Sequence, residues 1–105
     1  MIFIETPYFT RRIKDLLQDE EYRLLQSILA NHPEIGDLIP GGGGLRKIRW
    51  GYRSKGKRGG VRISYYWAVA QDRILMLLIY PKNVQDNLSP AQLKMLRQVV
   101  EAEFR

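Results

Sequence analysis

The stretch from Val61 to Tyr80 leaves this chain the fewest choices. Val61, Ile63, Tyr65, Trp67 and Val69 alternate with Arg62, Ser64, Tyr66, Ala68 and Ala70, and a period of two belongs to an extended strand. Gln71 and Asp72, followed by Arg73, then make a tight turn. Ile74 to Tyr80 is apolar on both faces, which suits a central strand covered from both sides. Before this hairpin, Leu45 to Trp50 reads as a third strand, with Leu45, Lys47 and Arg49 on one face and Arg46, Ile48 and Trp50 on the other. The three strands form an antiparallel meander.

The flanking segments supply helices to cover it. Ile2, Phe3 and Ile4 open the chain as a short strand, and Thr6-Pro7 is a helix start, with a capping hydroxyl and proline at the first helical position. Phe9, Ile13, Leu16 and Leu17 follow at helical spacing. Asp19, Glu20 and Glu21 form the acidic first turn of a second helix, which carries Leu24, Leu25, Ile28 and Leu29. It ends near Asn31, because Pro33 disfavours helix at His32. Glu34 to Gly44 reads as loop, closing on the glycine run Gly41 to Gly44, a flexible approach to the next strand. Pro81 stops the last strand, and Ser89-Pro90 starts a C-terminal helix with an apolar stripe of Leu93, Leu96, Val100 and Phe104. The expectation is a single α+β domain of 105 residues.

Charge is distributed unevenly over this frame. The segment from Gly41 to Tyr66 carries Arg46, Lys47, Arg49, Arg53, Lys55, Lys57, Arg58 and Arg62, and no acid stands between Asp37 and Asp72. The chain has 17 basic and 11 acidic side chains, a net of +6. With eight of the basic residues in this one segment, the other nine are outnumbered by the acids, so the excess positive charge is local. Trp50, Tyr52, Tyr65, Tyr66 and Trp67 are interleaved with the cations. Cations gather a polyanion by releasing its counterions, and aromatic rings stack on bases. The segment reads as an RNA-facing surface.

Other chemistries find little support. The chain has no cysteine, which removes disulfides, thiolate ligands and a thiol nucleophile and fits a reducing compartment. A single histidine, His32, has no second histidine beside it, so neither a metal site nor a histidine-dependent triad is indicated. The glycine run lacks the following Gly-Lys-Ser/Thr of a nucleotide loop. No pair of carboxylates stands in a strand position suited to two-metal nuclease chemistry. No apolar run approaches the ~20 residues of a membrane span, and the N-terminus lacks the pattern of a secretory signal. A cytoplasmic protein without cofactor or metal is expected.

Phosphoryl chemistry driven by cations remains. RNA is cut when its 2′-OH attacks the adjacent phosphate, provided that the charged phosphorane is stabilised and two protons are moved. Arginine grips two phosphate oxygens at once and stays charged. A lysine among other cations has its pKa pushed down, and tyrosine can donate a proton. By alternation Lys47 and Arg49 share a face, Arg62 stands out of an apolar pattern, and Tyr80 and Lys82 share a face at the end of the last strand. These five are the candidate catalytic residues if their faces coincide.

At these residues the chain resembles a known family. GGGGLRKIRWGYRSKGKRGGVRISYYW, then LMLLIYPKN and LSPAQLKML, is similar to the HigB-like branch of the RelE/ParE toxin superfamily, over nearly the whole chain. The resemblance implies one toxin domain over residues 1–105, with a twisted, mainly antiparallel sheet of about four strands, two N-terminal helices and a C-terminal helix. It further implies a type II toxin–antitoxin pair, with a HigA-like, DNA-binding antitoxin as partner. The toxin, monomeric when free, would enter the ribosomal A site and cut mRNA there without a metal. Carried over by motif, Lys47 and Arg49 match the basic pair before the loop. Arg62 matches the arginine of the Gly-x-Arg element Gly60-Val61-Arg62, and Lys82 stands near the cation that closes the last strand. The RelE-like tyrosine lies in the C-terminal tail, where this chain has none after Tyr80. Arg46, Arg53, Lys55, Lys57 and Arg58 would grip ribosomal RNA or mRNA backbone. A ParE-like gyrase poison and a basic RNA-binding module without catalysis are the alternatives.

Overall fold

The chain runs β1 (Ile2–Glu5), α1 (Pro7–Leu16), α2 (Asp19–Asn31), β2 (Asp37–Leu38), β3 (Leu45–Trp50), β4 (Val61–Ala68), β5 (Arg73–Pro81) and α3 (Pro90–Phe104). The structure is a computed structural model and describes residues 1–51 and 60–104. Among the described residues five strands rather than four make one sheet, in the order β1-β5-β4-β3-β2. The additional strand is β2, two residues inside the expected loop, with Asp37 opposite Lys47 and Leu38 opposite Arg46. The meander of β3, β4 and β5 is antiparallel as expected, while β1 lies parallel on the other edge of β5. β4 stops at Ala68, two residues earlier than its alternation suggests. Val69 and Ala70 join the turn, and Asp72 adopts a positive φ of 55°.

Helices cover both faces of the sheet. On one side α1 and α2 bury Phe9, Ile13, Leu25 and Leu29 against Ile63, Tyr65, Met76 and Ile79. On the other side α3 brings Leu96, with Leu93, Val100 and Phe104, onto Leu45, Leu75 and Leu77. This double cover is why β5 is apolar on both faces. Each buried side chain of this size contributes about 1.5–3 kcal/mol. Helix starts follow the sequence: the Thr6 hydroxyl accepts the Phe9 N–H at 3.1 Å. At Ser89 a reciprocal box forms, in which its Oγ accepts the Gln92 N–H and its own N–H donates to Gln92 Oε1.

Two local features position the strands. β5 contains a bulge: Ser64 pairs with Leu78 but Tyr65 pairs with Met76, so Leu77 is an extra residue. At the head of β4, Gly60 has φ of +56°, and a Cβ there would lie 2.4 Å from the Trp50 carbonyl oxygen. Only glycine fits that approach. Its own carbonyl accepts the Lys82 N–H at 3.2 Å, which ties the end of β5 to the start of β4.

Candidate functional site

Strand register places three of the five candidate residues abreast. Arg49 is opposite Arg62, and Arg62 is opposite Tyr80, so β3, β4 and β5 each contribute one side chain to the row. Residues directly opposite share a face, with Cβ atoms about 5 Å apart. Lys47, two residues before Arg49, lies on the same face and is opposite Ser64, one row nearer α3. Tyr80 reaches this face only through the bulge. With Leu77 counted as the extra residue, Leu77 and Leu78 both pack on the α3 side and Tyr80 follows them there. Lys82 does not continue the strand. β5 ends at Pro81, and Lys82 is an exposed residue of the turn beyond it.

Arg62 is 4 % exposed, a cation set into the sheet rather than on a solvated loop. Its Nε donates to Asp86 Oδ1 at 3.3 Å, and its Nη2 forms an ion pair with the same oxygen at 3.1 Å. One residue on, Asn87 Oδ1 accepts from Lys47 Nζ at 3.0 Å. The segment between β5 and α3, residues 82–89, thus lays oxygen acceptors on both strand cations. Asp86 and Asn87 carry no periodicity in the sequence. The available signal is that Asp86 is the sole acid between Pro81 and the start of α3. Tyr80 is buried beside this pair. Burial pushes its phenol pKa up, Arg62 lowers it, and Asp86 raises it. The phenol therefore holds its proton at neutral pH and can act as a donor. Ser64 lies in the next row at 1 % exposure, and its Oγ has no hydrogen-bond partner among the described residues.

Arg46 points away from this row, as its place opposite Tyr65 requires. Its Nη1 donates to the carbonyls of Glu34 and Gly36, at 2.9 and 2.7 Å, and so holds the loop before β2. Arg53, Lys55, Lys57 and Arg58 lie outside the described residues. A separate cleft of about 370 Å³ opens between the glycine turn, Tyr66 and Ala68 of β4, and Arg97, Val100 and Phe104 of α3. Ala68 is six residues along the strand from Arg62, or about 20 Å, so this cleft is not part of the cationic row. Among the described residues no three His, Cys, Asp or Glu side chains are grouped to hold a metal ion, and no helix is long and apolar enough to cross a membrane.

No family model matches the sequence. Among solved structures the chain is similar to the isolated RelE toxin of E. coli, with a TM-score of 0.50 at 15 % sequence identity. The alignment covers 93 % of this chain and 97 % of that one. At this identity the likeness speaks for the fold and not for the chemistry, and it spans both chains almost end to end. The α+β architecture described above, with its helices on both faces of a five-stranded sheet, is a RelE-like fold.

Proposed function

We propose that this chain is the toxin of a type II toxin–antitoxin pair and that it cuts mRNA in the ribosomal A site without a metal ion. The observation that carries this reading is the row Arg49–Arg62–Tyr80, with Lys47 beside it, on one face of three adjacent strands. Strand-borne side chains are held more rigidly than loop side chains, which suits groups that must meet a transition state. Arg62 would grip the non-bridging oxygens of the scissile phosphate and stabilise the phosphorane as charge builds on it. Lys47, Arg49 and Lys82 would neutralise the flanking phosphates. Tyr80, which keeps its proton, would donate to the departing 5′-oxygen. The local excess of positive charge supports an RNA target, because it draws in phosphate before any specific contact forms. The toxin would pair with an antitoxin of HigA type and act in the cytoplasm, a reading that rests on the sequence resemblance, while the RelE-like fold is compatible with it.

Mapping mRNA 5′ ends by primer extension in a translating extract tests the reading. Ribosome-dependent cuts inside codons are expected with the unaltered protein. Arg62→Ala should lose about 100- to 1,000-fold in rate, as for removal of one oxyanion-stabilising donor, while still binding ribosomes. Intact mRNA with translation unharmed would overturn the proposal and turn attention to gyrase. Full cutting by Arg62→Ala would overturn the site.

A further inference from the structure

The cationic row supplies charge stabilisation and a proton donor but leaves the base unassigned, and Lys47 and Arg49 are cations that must first lose a proton to serve. Residues 82–89 bring one carboxylate to the row. Asp86 is held on Arg62 through Oδ1, which accepts from Nε at 3.3 Å and lies 3.1 Å from Nη2. The Asp86 side chain is 58 % exposed, so the carboxylate is open to solvent on a cation that is itself buried.

The carboxylate is also held in place by its surroundings. At its start the segment folds back on Pro81, whose carbonyl accepts the N–H groups of Val84 and Gln85, at 3.1 and 3.4 Å. At its end the Ser89–Gln92 box fixes the first turn of α3. Between them the Gln85 side chain donates to the Asn87 carbonyl at 2.7 Å and also bonds Gln92, and Asn87 meets Lys47. Asp86 is therefore bracketed on both sides.

We propose that Asp86 is the general base of the cleavage reaction, which rests on the reading of this chain as an endoribonuclease. Asp86 Oδ2 takes the proton of the 2′-OH. The O2′–P bond forms, the P–O5′ bond breaks, and the leaving 5′-oxygen takes a proton from the Tyr80 phenol. The products are a 2′,3′-cyclic phosphate and a free 5′-hydroxyl, and solvent returns the proton from Asp86 to Tyr80. Arg62 has a double part, orienting the carboxylate and holding the phosphate next to it. The groups nearest Asp86 are the Arg62 guanidinium and the neutral Tyr80 phenol, with Arg49 and Lys47 on the same strand face. A second carboxylate in register with this face is Asp37, opposite Lys47 on β2. It stands two strands from Arg62, about 10 Å away, and so is not the base.

The test compares Asp86→Asn, Asp86→Glu and Asp37→Asn with the unaltered protein, measuring mRNA cutting on purified translating ribosomes together with ribosome binding. Asn at position 86 keeps an oxygen for Arg62 but cannot take the proton. It should cut about 100- to 10,000-fold more slowly with ribosome binding unchanged, and the acid limb of the pH–rate profile should disappear. Asp86→Glu should restore part of the rate, and Asp37→Asn should cut normally. Asp86→Asn cutting as fast as or faster than the unaltered protein would overturn the assignment, and would mean that Asp86 only competes with phosphate for Arg62. A loss in Asp37→Asn as large as in Asp86→Asn, or a slow Asp86→Asn that keeps the acid limb, would overturn it too. If the unaltered protein cuts nothing, the endoribonuclease reading falls and this proposal with it.

Discussion

Thr6 joins the start of α1 to the strand that carries Tyr80, and its loss should be measurable in both. The Thr6 hydroxyl accepts the Phe9 N–H at 3.1 Å as an N-cap and donates to the Leu77 carbonyl at 2.8 Å. Leu77 is the bulge residue of β5, 71 positions away. Thr6→Val keeps the shape of the side chain and removes both bonds. Loss of an N-cap costs about 1 kcal/mol. A partly buried carbonyl left without its donor adds about 1–2 kcal/mol. The sum is about 2–3 kcal/mol, a large share of the roughly 5–15 kcal/mol that holds a domain of this size. Urea unfolding followed by circular dichroism should show the midpoint lowered by about 1–2 M at an unchanged slope near 1.5 kcal/mol/M. Thr6→Ser, which keeps the hydroxyl, separates the bonds from the packing and should stay within about 1 kcal/mol of the parent. If Thr6→Val is as stable as the parent, or Thr6→Ser is hurt as badly, the hydroxyl is not what ties α1 to the bulge.

Two further outcomes follow from buried polar groups. Ser64→Ala removes a buried hydroxyl that has no partner among the described residues, so thermal unfolding should show stability unchanged or raised by up to about 1 kcal/mol; a loss above that size would mean that the hydroxyl is bonded in solution. Tyr22, Tyr65 and Tyr80 all have phenol pKa values raised chiefly by burial. Each protonated phenol favours the folded state: the stability is fully present below about pH 10, where the unfolded phenol ionises, and is lost as pH climbs towards the folded values. Denaturant titrations above pH 10 should therefore show stability falling by up to about 4 kcal/mol per pH unit for the three groups together. Tyr65→Phe, which gives up bonds to Pro33 and Gly36, should start less stable but fall less steeply, and an unchanged slope would refute the assignment for Tyr65.

Legibility in the sequence tracks periodicity. The alternation of β4 puts Arg62, Ser64 and Tyr66 on one face, and the alternation of β3 puts Lys47 with Arg49, so the cationic side of the site can be read without coordinates. The capping pairs Thr6-Pro7 and Ser89-Pro90 mark two helix starts in the same way. β2 escapes because two residues are too few to show a period, and its pairing with β3 is a tertiary fact. Asp86 escapes for a related reason, since its partner Arg62 is 24 residues away and residues 82–89 have no repeating pattern to say which side chain turns inward.

Tyr80 shows a subtler limit. Counting back from the turn through Tyr66 opposite Leu75 and Tyr65 opposite Met76, an unbroken hairpin would set Tyr80 opposite Val61. That is the face covered by α1 and α2, where Val61 is buried with Phe9 and Ile63. The extra residue at Leu77 moves Tyr80 one step, opposite Arg62 instead, and so reverses its face. A strand with polar residues on one side would betray such a bulge, because two polar or two apolar residues would fall in succession. Leu75 to Ile79 is apolar throughout, so the insertion leaves no mark in the pattern. The covering of β5 on both faces, which makes it the centre of the core, is therefore also what hides the register that brings its one tyrosine to the site.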